Sequence, residues 1–421
     1  MAHMVFLFMF LIHQIPLIMG TFGTDQMIQI KSGMSLPESF ANTVKSGSFS
    51  SFMRATPVTR VFGFIKAIAT IMNVVLNIFG TNESPELLEI KKLYQEMSER
   101  FSSVDIKLRD LASQITWTTT EIQFGLVEQN INSNFEQLQH IYNLPLTIKD
   151  IEKKRFMASF KSTCLNCASN LFRGIIGTDT IFTGSILKKA ITSFKYDRRK
   201  SQNFMIGTLQ LLTKAVSAEL MYDSFEYGEN YFQFRQVEWT ARIRNVTDLM
   251  QSVDQEVVSK WYDQASIDID DLSVKHNGLS NHNVSFILYN FLQEKYYWRD
   301  WLVIVYNPIW GIKTHINHVC DGYRKYGVHG RNVAIATVDK SKPAINMKES
   351  AEIIMKTSNS ACSRLDANIV YNQIDVKTRA CSLYGSVGVI SSHADVWFQG
   401  FSERLIHTPL RYGKYTVYVF G

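Results

Sequence analysis

The stretch PELLEIKKLYQEMSERFSSVDIKLRDLASQI, residues 85–115, decides the fold class. In it Ile90, Tyr94, Met97, Phe101, Val104, Leu108, Leu111 and Ile115 follow one another at intervals of 4, 3, 4, 3, 4, 3 and 4 residues. A strand would repeat every second residue. Intervals of three and four place all eight side chains on one seam of a long helix packed along its length. Ser84 is positioned to cap its first turn, Pro85 suits the first helical position, and Glu86 complements the positive end of the helix dipole. The heptad pattern predicts a helix over 86–116. Beyond it, Thr118 and Glu121 have the spacing of a capping box for a second helix that runs to Tyr142.

The prolines extend this reading. Pro57, Pro85 and Pro145 stand at the edges of periodic apolar patterns, and no proline occurs between Pro145 and Pro308. Long helices tolerate proline at their ends and not within. Further helical patterns cover about 148–176, 180–196, 203–225, 229–261 and 284–298, with Met250, Val253, Val257 and Trp261 as one example of the spacing. After Pro308 the texture changes. NVAIATVD (332–339), ANIVYNQIDV (367–376), VGVISS (387–392), ADVWFQGF (394–401) and KYTVYVFG (414–421) are short, rich in β-branched and aromatic residues, and separated by Gly, Ser and Pro. That pattern reads as strands. The expected protein is mainly α: a long-helix bundle over 58–310, like those of α-helical pore-forming toxins, then a small α+β domain over 311–421.

One helix of the bundle bears on function. VFGFIKAIATIMNVVLNIFG, residues 61–80, carries a single charge, Lys66. As a helix over 58–80 it would measure about 34 Å, enough to cross a hydrocarbon core of about 30 Å. Gly63, Lys66, Thr70, Asn73, Asn77 and Gly80 recur at 3, 4, 3, 4 and 3 and form one narrow polar stripe on an otherwise apolar cylinder. Two settings suit such a helix. In a bundle it is buried, with its stripe against the heptad seam. In a membrane Lys66, Thr70, Asn73 and Asn77 would face water or sister helices, and Phe64, Ile65, Ile68, Ile71, Val74, Val75 and Ile78 would face lipid. The two remain open here, because a helix stored in a bundle can later enter lipid. Residues 170–200 set Gly-rich apolar sequence beside Lys188, Lys189, Lys195, Arg198, Arg199 and Lys200, which suits an anionic membrane surface or a solvated helix end.

The termini and cysteines speak to compartment. MVFLFMFLI (4–12) is too short to span a bilayer, and the small-x-small triplet TFG (21–23) follows it, the pattern of a signal peptide over 1–23. The Ser- and Gly-rich segment 24–57 reads as a flexible lead-in, and the protein as secreted and extracellular. Cys164, Cys167, Cys320, Cys362 and Cys381 are disulfide candidates in that compartment. The first two can bridge locally or stay as small buried hydrophobes, and the pairing of the others is open. Asn82, Asn245 and Asn283 begin the sequons of a glycoprotein.

Two stretches together carry a family resemblance: NESPELLEIKKLYQEMSERFSSVDIKLRDLASQI (82–115) and YYWRDWLVIVYNPIWG (296–311). Their S-P-E-L cap, V-D-x-K-L core and D-W-L-V-x-V-Y segment resemble secreted animal proteins of the cephalotoxin and rapunzel-like group, over about residues 58–311. The resemblance implies a secreted helical protein with an apolar helix ahead of the long one. It implies either toxicity or a developmental role, and it supplies no catalytic residues. Cephalotoxin also carries Cys-rich modules, which five cysteines cannot furnish.

Composition excludes several classes. At 46% hydrophobic and 19% charged the chain is neither disordered nor collagen-like, and a net charge of +6 over 421 residues is no nucleic-acid footprint. His315, His318 and Cys320, with Asp321 and His329, are ligand types without the paired chelating motifs of zinc. Asp268, Asp270 and Asp271 lack the Gly and Glu of a calcium loop. Tyr296, Tyr297, Trp298, Trp301, Tyr306 and Trp310 form either core or a sugar or lipid platform. No phosphate-binding loop or nucleophile elbow occurs, so neither an enzyme, a cofactor nor a metal is expected. The expected function is that of a membrane-active, toxin-like protein, possible pore formation included, whose partners are a lipid membrane or cell-surface receptor and further copies of itself. The rival expectation is a non-lytic extracellular binding, adhesion or developmental protein with the apolar helix as permanent core.

Overall fold

The computed structural model describes residues 24–55, 57–77, 85–116, 120–143, 148–178, 182–360, 366–378, 385–410 and 414–421. The expected signal peptide 1–23, Ile78, Asn82, Thr118, Cys362 and Cys381 lie outside these, as do the side chains of Val74 and Asn77. The protein is mainly α with a smaller C-terminal α+β part, and the chain forms two compact units that divide at Val258/Ser259.

The first unit is helical: α1 Thr24–Met34, α2 Leu36–Ser46, α3 Phe49–Arg54, α4 Pro57–Asn77, α5 Pro85–Ala112, α6 Thr120–Asn143, α7 Lys149–Thr163, α8 Cys167–Ile176, α9 Ile186–Ser193, α10 Arg198–Tyr227 and α11 Glu229–Ser259. All eight seam residues of the heptad stretch are buried. The helix they pack around is α10, which is buried on every side from Ser201 to Asp223 apart from a half-covered Asn203. Asp197 starts it by accepting the Lys200 backbone N–H at 3.0 Å. Its hydroxyls turn back onto their own helix: Thr208 bonds the Phe204 carbonyl, Thr213 that of Leu209, and Ser217 that of Thr213. Polar side chains that satisfy themselves in this way let a helix lose its solvent face.

Residues 24–57, expected to be a flexible lead-in, are instead α1–α3 and the start of α4, and they contribute Ile30, Met34, Leu36, Phe40, Phe49, Phe52 and Met53 to the core. The Ser and Gly residues punctuate these helices rather than dissolve them. Gly47, at φ +70°, ends α2 in the left-handed conformation and donates its N–H to Thr43. At the crossing of α1 and α4, a side chain on Gly33 would meet the Gly63 carbonyl oxygen, and the Ala67 Cβ at 2.7 Å. Gly33→Leu is therefore expected to force α1 off α4 and cost about 2–4 kcal/mol in urea unfolding, whereas Gly125→Leu, on an open helix face, costs nothing and gains up to about 1 kcal/mol of helix propensity.

In the second unit α12 Trp261–Lys275 and α13 Asn281–Lys295 precede β1 Arg299–Tyr306, β2 His315–Val319, β3 Gly322–Val328 and β4 Arg331–Asp339. Then come α14 Met347–Ser360, α15 Ala367–Thr378, β5 Ser386–Ser391, β6 Trp397–Gly400, β7 Leu405–Pro409 and β8 Tyr415–Phe420. Two antiparallel sheets, ordered β3-β4-β1-β6 and β2-β5-β8-β7, lie face to face. Alternate residues explain the layering. Trp301, Val303 and Val305 of β1 point to α12 and α13, while Leu302, Ile304 and Tyr306 meet Ile390, Tyr418 and Phe420 of the other sheet. On the far side Val387, Val389, Val417 and Val419 are covered by α14 and α15. The order is helices, sheet, sheet, helices.

This layering explains why the unit begins well before the change of texture at Pro308, which set the expected boundary at 310/311. The helices α12 and α13 belong with the strands they cover. ANIVYNQIDV, expected to be a strand, is α15: Ala367, Val370, Tyr371 and Ile374 are the buried positions, at the spacing of a helix face, and β-branched composition concealed it.

Candidate functional site

The residues expected to meet lipid are placed by α4. Phe64, Ile65, Ile68, Ile71 and Val75 are buried in the bundle, beneath α1 and against α10. The polar stripe points the other way: Lys66 and Asn73 are exposed and Thr70 is half-buried. It lines a groove of about 430 Å³ whose opposite wall is α11, with Phe232, Gln236, Val237 and Thr240. The stripe therefore faces a wet groove and not the heptad seam. At the C-terminal end of α4 the buried Lys149 donates to the Val75 carbonyl at 3.4 Å, placing a cation where the helix leaves carbonyls unpaired. Among the described residues no helix is long and apolar enough to cross a membrane.

Beside α4, the long helix α5 faces α6 across a second groove of about 670 Å³, floored by α10. The V-D-x-K-L core of α5 supplies its central group. Asp105 accepts from Lys214 of α10 at 2.5 Å and from Gln210 at 2.8 Å. Lys214 also donates to Asn132 of α6 at 2.9 Å and lies over the Phe101 ring. One buried ion pair thus joins three helices at the position the sequence motif marks.

Residues 80–278 match the family described as the cephalotoxin-like middle helical domain. Over those residues the chain is cephalotoxin-like. No curated protein and no solved structure matches it. The cephalotoxin-like domain starts after α4 and runs through α12, so it contains both walls of the Asp105 groove but only the α11 wall of the α4 groove.

Within the cephalotoxin-like domain the ionic pairs cluster on α10. Arg198 forms a bidentate pair with Asp254 at 2.9 and 2.7 Å. Arg235 of α11 binds Glu219, Asp223 and Glu238 together, and Trp239 donates to Glu219 at 3.0 Å. Burial pushes the Glu219 carboxyl up, against the pull of Trp239 and Arg235, and lowers the Lys214 ammonium against the pull of Asp105. Removing either partner of the Asp105–Lys214 pair is expected to destabilise the unit by about 3–5 kcal/mol, and the double change Asp105→Leu, Lys214→Met to restore most of it. A double-mutant cycle of urea midpoints measures this.

Glu128 of α6, like Glu219 of α10, keeps a buried carboxylate oxygen without a hydrogen bond among the described residues. Glu128 is 7% exposed, and its Oε1 makes no hydrogen bond among the described residues, with Arg109 Nε no nearer than 4.0 Å. Burial raises its carboxyl to about 7, Arg109 opposing this. Since the folded value lies above the unfolded one, its stabilising contribution is full below about pH 4.5 and is lost as pH rises through about 7. Glu128→Gln is thus expected to raise stability by about 2 kcal/mol at pH 8 and to change little at pH 4, read from unfolding midpoints at both values.

The remaining candidates are dispersed. Cys164 and Cys167 form a disulfide in the turn between α7 and α8, with Cα atoms 4.8 Å apart, and Cys320 is also disulfide-bonded. Asn245 on α11 and Asn283 at the start of α13 are both exposed. His315 is buried against Tyr306 and Tyr326, while His318 bonds Tyr371 at 2.7 Å. Among the described residues no group of three His, Cys, Asp or Glu is placed to hold a metal. Tyr296, Trp301 and Tyr306 are core residues, while Trp310 is exposed. Of the basic stretch, Lys189 is held by the Phe182 carbonyl, Arg198 by Asp254 and Lys200 by Gln114. The ionic sites on α10 escaped the sequence reading. Their signal is a Lys and a Glu inside the apolar run FMIGTLQLLTKAVSAELMY, 204–222, where a charge needs a partner.

Proposed function

We propose that this is a secreted, non-enzymatic, toxin-like protein that acts on membranes through α4. The observation that carries the reading is how α4 is stored. Its apolar faces are covered largely by α1, across a glycine crossing, and its polar stripe borders a groove. Moving α1 aside and lifting α4 off α5 and α10 would expose Phe64, Ile65, Ile68, Ile71 and Val75 while the stripe Lys66, Thr70 and Asn73 stayed hydrated. An amphipathic helix of this kind lies in an interface, or enters it with sister helices sharing the polar side in an oligomeric pore. The toxin in the name of the matching family is consistent with this reading.

A second reading has its own support. Where no described helix is long and apolar enough to cross a membrane, α4 suits a permanent core helix in a non-lytic extracellular binding, adhesion or developmental protein, with a cell-surface receptor as partner. Dye release from neutral and anionic vesicles separates the two. The membrane reading expects release by the native chain, faster release by Gly33→Leu, and quenching by a lipid-borne quencher of a dye attached at Ile71→Cys on the apolar face. A folded chain that releases nothing, with that dye unquenched, establishes the permanent-core reading.

A further inference from the structure

The groove between α5 and α6 is a built site with one unmet demand. Its wall residues include Ser102, Asp105 and Arg109 from α5 and Glu128, Asn132 and Glu136 from α6, and Lys214 of α10 forms its floor. Asp105 is matched by Lys214 and Gln210, and the Asn132 side-chain oxygen by Lys214. Glu128 is matched only at long range, by Arg109 Nε at 4.0 Å. More than nine-tenths buried, it keeps a carboxylate oxygen with no hydrogen-bond donor. Glu136 adds an exposed carboxylate on the same helix, two turns along. Against Asp105, Glu128 and Glu136 stand only Arg109 and Lys214, so the lining holds one more negative than positive charge.

We infer that this groove binds a small molecule bearing a primary ammonium group, which donates N–H to Glu128. The class follows from what is lacking. A hydroxyl would supply a donor but leave the desolvated charge uncompensated, whereas an ammonium supplies both. An anion would meet three carboxylates. A divalent metal lacks a ligand set among the described residues, and a bulky cation without N–H cannot bond the free oxygen. The volume of about 670 Å³ admits a molecule well beyond a bare ammonium. The charged groups that face Glu128 are Asp105 and Arg109 on α5, Lys214 on α10 and Glu136 on its own helix. The ligand competes with a proton, because the Glu128 carboxyl titrates at about 7. Binding is therefore stronger above that pH than below it. The site lies inside the family-matched region and is independent of whether α4 enters lipid.

Calorimetric titration of the full chain with putrescine at about pH 8 tests this, with tetramethylammonium as a cation that has no N–H. Saturable putrescine binding is expected, weakened at least about tenfold by Glu128→Gln and by a shift to about pH 5.5, and unchanged by Glu99→Gln on the exposed face of α5. The melting temperature of Glu128→Gln at the higher pH should be no lower than native, so lost binding does not mean a lost fold. Arg109→Gln should tighten binding, since that side chain is the nearest competitor for the carboxylate. The inference is overturned by an absence of saturable binding, by equal binding in Glu128→Gln, or by tetramethylammonium binding as well as putrescine. A fall in stability of Arg109→Gln without a gain in affinity also overturns it, because Arg109 is then the resident partner.

Discussion

The helical unit is organised by a constraint on α10: a helix without a solvent face must find partners inside the protein for its hydroxyls and charges. Its Thr and Ser hydroxyls satisfy this locally through the carbonyl one turn back. Its charges cannot. Lys214 needs Asp105 from α5 and Asn132 from α6, Glu219 needs Trp239 and Arg235 from α11, and Arg198 needs Asp254 from α11. Each demand fixes one neighbour in register along α10. Apolar packing tolerates sliding and exchange of similar side chains, whereas a buried charge tolerates neither. The ionic contacts thus specify which helices surround α10 and at what height, and apolar packing, the seam of α5 included, supplies the favourable burial.

This division explains what sequence made legible. The heptad seam of α5 was readable because its apolar spacing depends only on local geometry, and every seam position is buried. The apolar character of α4 was readable for the same reason. Its partner was not. That α1 covers α4 depends on Gly33 approaching Gly63, a contact between residues thirty apart whose only local trace is two glycines. The Ser and Gly of residues 24–57 suggested flexibility because composition does not tell a helix boundary from a disordered segment. ANIVYNQIDV misled in the opposite way, since the β-branched Val370 and Ile374 stood on the buried face of a helix and Ile369 on its exposed side. For the second unit, pattern gave the existence of strands but not that α12 and α13 cover them, a matter of tertiary pairing.

The family match sharpens the meaning of the α5 motif. In V-D-x-K-L, Val104 and Leu108 are seam residues, Asp105 turns toward α10 and Lys107 stays at the surface, where it pairs with Asp110 at 3.8 Å. A carboxylate directly beside a core position, with its cation on another helix, is legible as function or as structure from sequence. The geometry makes it structural first, because Asp105 is fully engaged by Lys214 and Gln210.

Glu128 differs from Asp105 in kind. Both carboxylates border the same groove, yet one is saturated with donors and the other keeps an oxygen that nothing bonds. A glutamine there would keep the size and remove the charge, and simple stability would favour it at neutral pH. Exceptions to consistency between burial and partnership concentrate where a protein does something with the exception. The contrast also separates the two grooves of this unit. The one beside α4 is bordered by a stripe whose exposed members are already hydrated, so it makes no chemical demand. The one beside α5 is lined by a largely buried carboxylate to which no described residue donates a hydrogen bond at Oε1, and a demand of that kind is what gives a cavity selectivity for a ligand.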